Sequence, residues 1–178
     1  MALTPATLAD GFKEPPEFPA DEQAVIDKWS AAWQAYFEES VVTPGPISAE
    51  VSPAAAVSAF EAALIGISAP DNTAVQAATK IKDACKAFWT VATPLLAYAT
   101  PLPPAPGPYL TLPLFMLDAG AEDAFVTALA AVFTVNMTGA VGKDPALTAI
   151  TTAINAAPQA GATFLDTTVP TPITYTVA

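Results

Sequence analysis

The sequence predicts a mainly α fold: about five helices in an Ala-rich bundle, a Pro-rich extended connector and a C-terminal β-like arm. Three observations carry this expectation. Apolar residues recur every three or four positions in five stretches, each with helix-start or helix-stop residues at one or both ends. Seven prolines fall between Pro94 and Leu117, a stretch without a charge. The last ten residues alternate with a period of two instead.

The first helix is read in "PADEQAVIDKWSAAWQAYFEESVV". Asp21 caps it, Glu22 suits the positive end of the helix dipole, and Val25, Ile26, Trp29, Trp33, Phe37 and Val41 fall on one side. Trp29, Trp33 and Phe37 make an aromatic stripe that suits either a core seam or a subunit interface. The second helix, "SPAAAVSAFEAALIG", takes Ser52 as cap and Pro53 in its first turn, buries Val57, Phe60 and Leu64, and stops at Gly66. The third, "DNTAVQAATKIKDACKAFWTVAT", takes Asp71 or Asn72 as cap. Its expected inward residues are Val75, Ala78, Ile81, Cys85, Phe88 and Ala92, and Pro94 ends or kinks it. A fourth begins in "DAGAEDAFVTALAAVFTV". The fifth, "DPALTAITTAINAAP", has Asp144 as cap, Pro145 in the first turn and Pro158 as stop.

Residues 100–114 form the expected connector, which lacks the Ser, charge and spaced Gly of a solvated tether. A polyproline rise of ~3.1 Å per residue carries residues 101–108 across about 25 Å, enough to cross a bundle once. Pro101 to Pro104 and Pro103 to Pro106 have the spacing of a Pro-rich docking ligand, but no basic residue flanks them. In the tail, Val169, Thr171, Ile173, Tyr175 and Val177 alternate with Thr168, Pro170, Pro172, Thr174 and Thr176. Two prolines on one side bar a fully paired central strand, so an edge strand or arm is expected, with a partner available in another subunit. The domain reading is one helical domain over 1–162 and an extended arm over 163–178.

Composition limits the chemistry. The chain of 178 residues is 53% apolar and 13% charged, with 17 acidic residues, six lysines, and neither arginine nor histidine. Imidazole bases, histidine ligands and bidentate guanidinium clamps are therefore excluded. A net charge of −11 opposes nucleic acid, whose binding rests on lysine and arginine displacing counterions. Nine of the acidic residues and two of the lysines lie in residues 1–50, the acidic region of the molecule.

Cys85, the single cysteine, lies between Lys82 and Lys86; helical spacing makes it a small apolar residue rather than an activated thiolate. One cysteine also fits folding in a reducing cytoplasm. Asp21 with Glu22, and Glu122 with Asp123, sit at helix starts, where the dipole explains them; Glu38 with Glu39 are adjacent and share no helix face. "DAGAED" lacks the ligand spacing of a calcium loop, and no phosphate-cradling glycine loop, GxSxG or CxxC occurs. Lys80, Lys82 and Lys86 read as a solvated face. No catalytic residue, cofactor or metal site is expected, and the protein is read as a non-enzyme.

"MALTPATLADGFK" has no basic region followed by an apolar one, so it does not read as a signal peptide. Residues 124–142 carry no charge, but Ala, Thr, Asn136 and two glycines dilute them, which favours a buried helix over a membrane span.

The opening "MALTPATLADGFK", the aromatic "KWSAAWQAYFEESVV" and the later "TVNMTGAVG" are similar to small structural proteins of tailed-bacteriophage virions. That resemblance implies a non-enzymatic assembly protein in the neck, tail, baseplate or capsid exterior, including the head-tail connector. It would be present in many copies, folded in the host cytoplasm and bound to copies of itself and other structural proteins. The interaction residues expected are Trp29, Trp33, Phe37, Val169, Ile173, Tyr175 and Val177. Two other readings stand beside it: an acidic binding or chaperone-like module for a basic protein, and a membrane-inserting protein using residues 124–142.

Overall fold

In the computed structural model the chain is described at residues 4–13, 20–38, 42–43, 54–91, 95–97, 109–111, 115–117, 119–137, 143–166 and 173–177. Helices dominate. They are α1 (Pro5–Lys13), α2 (Glu22–Glu38), α3 (Ala54–Leu64), α4 (Ala74–Val91), α5 (Ala119–Met137) and α6 (Lys143–Gly161). Short strands join them: β1 (Val42–Thr43), β2 (Leu95–Ala97), β3 (Tyr109–Thr111), β4 (Phe115–Leu117), β5 (Ala162–Asp166) and β6 (Ile173–Val177).

Each helix packs on the next in sequence, and α6 returns to α1, so the six close a circuit around one core. The five expected helices are all present, and α1 is an addition. Its signal was Thr4 followed by Pro5, a cap-type residue before a proline at the first helical position. A helix of nine residues is too short to stand alone in water, so tertiary packing must hold it. Leu8 is fully buried, Phe12 packs on Trp29 at 4.5 Å between ring centres, and Gly11 lies against Ala32. A Cβ at position 11 would sit 2.7 Å from the Ala32 Cβ, so the absence of a side chain there sets the approach of α1 to α2.

The boundaries correct several expectations. Asp21 caps α2 as expected, its Oδ1 accepting from the Ala24 N–H at 2.9 Å. The cap of α4 is Thr73 rather than Asp71 or Asn72. Thr73 Oγ1 accepts from the Gln76 N–H at 3.2 Å while Gln76 Oε1 accepts from the Thr73 N–H at 2.7 Å, a reciprocal capping box. Asn72 instead closes the preceding helix, its Nδ2 donating to the Gly66 and Ile67 carbonyls at 2.8 and 3.0 Å. Gly66 takes φ +80°, the left-handed conformation that ends α3 where the sequence placed its stop. Helix α6 starts at Lys143, which puts Asp144 inside its first turn, and it continues through Pro158 to Gly161. Val75, expected inward, is 56% exposed; the buried residues of α4 are Ala78, Ile81, Ala84, Phe88 and Trp89.

The strands β1, β6, β5 and β4 form one antiparallel sheet in that order, and β2 pairs with β3 in a second. The C-terminal strand, expected at a sheet edge or as an arm with a partner in another subunit, instead lies between β5 and β1 of its own chain, because the strand begins at Ile173, after Pro170 and Pro172. Asp166 is opposite Ile173 and Thr163 opposite Thr176 in β5 and β6, while Val42 is opposite Val177. The earlier strands are two or three residues long, too short for a period-two signal to register. Of the connector over 100–114, only 109–111 lie within the described residues, as do none of Val41, Ser52, Pro53, Ala92, Pro94 and Val169. Ala97 and Tyr109 are cross-strand partners in β2 and β3, and the crossing expected of residues 101–108 lies outside the described residues.

The core is aromatic at one end. Trp33 stacks on Phe60 with ring centres 5.5 Å apart and meets Phe88 and Trp89 edge-on at 5.9 and 6.5 Å. Phe37 meets the same two rings at 4.7 and 5.0 Å. Leu64, Ile81, Phe125, Leu129 and Ile154 extend the cluster. Tilted and edge-on ring pairs at these distances add to the burial of large apolar area. Among the described residues no helix is long and apolar enough to cross a membrane; of the stretch 124–142, residues 138–142 lie outside the described residues.

Candidate functional site

The aromatic stripe of α2 is core. Trp33 and Phe37 are each 1% exposed, so neither presents a surface to a partner, and Trp29 is half-buried against Phe12. Trp33 and Phe37 are covered by rings of α3 and α4, and Trp29 packs on α1. Ile173, Tyr175 and Val177 lie in β6, with Tyr175 opposite Phe164 and Val177 opposite Val42 in the sheet.

The lysines of α4 are bound rather than simply solvated. Lys86 donates to Glu122 Oε1, and Lys82 lies 2.6 Å from Asp83 and 3.7 Å from the other Glu122 oxygen. The hydrogen bond to Asp83, with the charges of Asp83 and Glu122 behind it, holds the Lys82 ammonium above its ordinary pKa against the opposing effect of burial. Glu122 thus clasps α4 to α5, beyond the dipole role that its place at a helix start suggested. Lys80 donates to the Ile65 carbonyl at 2.7 Å, satisfying the end of α3. Glu22, partner of the capping Asp21, accepts from the Ser68 N–H at 3.3 Å and ties α2 to the α3–α4 turn.

Cys85 faces the core beside those lysines without being activated by them. Desolvation pushes its thiol well above the ordinary range, which makes it a poor nucleophile near neutral pH. Among the described residues no group of three acidic or cysteine side chains could hold a metal ion.

One buried polar pair escaped the sequence reading. The Tyr36 hydroxyl donates to Asn155 Oδ1 at 2.8 Å, joining α2 to α6 across 119 positions of sequence. Its trace was an asparagine directly after Ile154, on the inward side of a helix. The Trp33 indole N–H is buried too, with no hydrogen-bond acceptor among the described residues.

The surface feature that remains lies on the other side of the molecule. Along α5 the exposed residues Ala124, Thr127, Ala128, Ala131, Thr134 and Val135 form an uncharged stripe about 17 Å long at 1.5 Å per residue. Its C-terminal half opens into a groove of about 290 Å³ between α5 and α6, lined by Ala131, Val132, Val135, Pro145, Ala146 and Ala149. No hydrogen-bonding side chain lines it, so the groove suits apolar contact and offers nothing for polarising a substrate. Two threonine hydroxyls at this surface turn back onto their own helices. Thr134 donates to the Ala130 carbonyl at 2.7 Å and Thr148 to that of Asp144 at 2.9 Å.

Comparison of the chain with protein-family models, with curated proteins and with solved structures gives no match.

Proposed function

We propose that the protein is a non-enzymatic assembly subunit of a multi-copy complex, of the kind its sequence resembles in tailed-phage virions, binding copies of itself and other structural proteins. The observation that carries this reading is the outward face of α5. A chain of net charge −11 keeps a helix face free of charge from Ala124 to Val135 and places a wholly apolar groove at its end. Like-charged subunits approach most readily through such a face, and close contact of small side chains supplies the burial. The reactive groups support the same reading, because Lys80, Lys82, Lys86, Asp21, Glu22 and Glu122 are each engaged in capping or clasping helices.

The test is light scattering on the full chain over a range of concentration and salt, with mass spectrometry of purified particles. Assembly through an uncharged face between acidic chains strengthens as salt screens their repulsion. A monomer at every concentration and salt, absent from particles, overturns the reading.

A second reading, an acidic module for a basic protein, is favoured by Asp10, Asp27 and Glu38, all exposed on α1 and α2. Its salt dependence has the opposite sign, since screening weakens attraction between unlike charges.

A further inference from the structure

We draw no further inference here: the strongest candidate, the apolar groove between the C-terminal half of α5 and the N-terminal half of α6, belongs to the surface already described, and nothing in the structure shows what covers it.

Discussion

The two sides of the bundle bury their helices by different means. Helices α2, α3 and α4 bring Trp33, Tyr36, Phe37, Phe60, Phe88 and Trp89 into one cluster, each ring within 7 Å of another. Among the described residues helices α5 and α6 contribute fewer large buried side chains, with Phe125, Leu129 and Ile154 buried and Phe133 and Ile150 partly buried beside them. Their threonines bond to their own helices: Thr151 and Thr152 donate to carbonyls one turn back, as Thr134 and Thr148 do. Large rings exclude water and fix the packing, whereas alanine buries little area per residue. The first side is therefore expected to hold most of the stability, and the second is the one that can accept changes on its outer face.

Truncating the centre of the aromatic side is the strongest way to break this contrast. Trp33→Ala is expected to cost about 3–5 kcal/mol in denaturant unfolding, through lost burial and the cavity left behind. Trp33→Phe should cost markedly less, because it also removes a buried indole N–H that lacks an acceptor among the described residues. Equal losses for the two would show that the indole N–H carries an interaction of its own.

Overpacking the α1–α2 contact comes next. Gly11→Ala places a methyl 2.7 Å from Ala32 Cβ and should destabilise by about 1–3 kcal/mol. Combining it with Ala32→Gly should recover part of the loss despite the poorer helix propensity of glycine. Strict additivity in that double-mutant cycle would mean the two helices separate freely.

The polar link between the two sides should register as a smaller effect. Tyr36→Phe leaves Asn155 Oδ1 buried without the donor it has now, at a cost of about 1–2 kcal/mol. Adding Asn155→Leu should return much of that, since removing both partners of a buried pair is far cheaper than removing one.

Alkaline pH sharpens the contrast within α4. Cys85 is raised in the fold from an ordinary 9.0, so above about that pH the unfolded chain releases a proton that the folded chain retains, and stability falls as pH rises. Lys82 is raised from 10.5, so its contribution is full below that value and is lost as pH climbs through its folded pKa. Cys85→Ala should flatten the pH 9–10 part of a thermal-melting profile and leave the later fall in place. An unchanged profile would show that the thiol ionises equally in both states.

The smallest expected effect on stability is on the outer face of α5. Ala131→Lys and Thr127→Lys replace exposed residues and should shift unfolding by less than about 0.5 kcal/mol. Both should abolish any concentration-dependent association seen by light scattering. Association that survives both charges would locate the contact elsewhere.

The helices were legible because their signals are local. Val57, Phe60 and Leu64 fall at helical spacing and end at a glycine, and Asp21 caps α2 where its side chain type and position indicate. The α1 helix was harder to see because nine residues give only two turns of periodicity, and its burial depends on Trp29 and Ala32 of another helix. The cap of α4 was misassigned by one or two positions because Asp71, Asn72 and Thr73 are all capping types. Only the fold shows that Asn72 is occupied with the end of α3.

The candidate surface was the least legible part. The sequence marks Trp29, Trp33 and Phe37 as the feature most able to bind a partner, and it marks Lys80, Lys82 and Lys86 as solvated. In the fold α3 and α4 cover Trp33 and Phe37, which takes the core-seam alternative for those two rings, while Glu122 of α5 reaches Lys82 and Lys86 and the Ile65 carbonyl takes Lys80. The face left uncovered is made of alanine, threonine and valine, residues that carry no individual signal.

By itself the sequence determined the mainly helical class, the five longer helices and the exclusion of histidine and arginine chemistry, because periodicity, capping and composition act within a few residues of chain. Tertiary structure alone decided which faces meet: the closure of α6 on α1, the Tyr36–Asn155 link, the pairing of β6 with β5 and β1, and the outward turn of the α5 stripe. Those outcomes depend on contacts between residues far apart in sequence, where each side chain's place is fixed by what the rest of the fold leaves available.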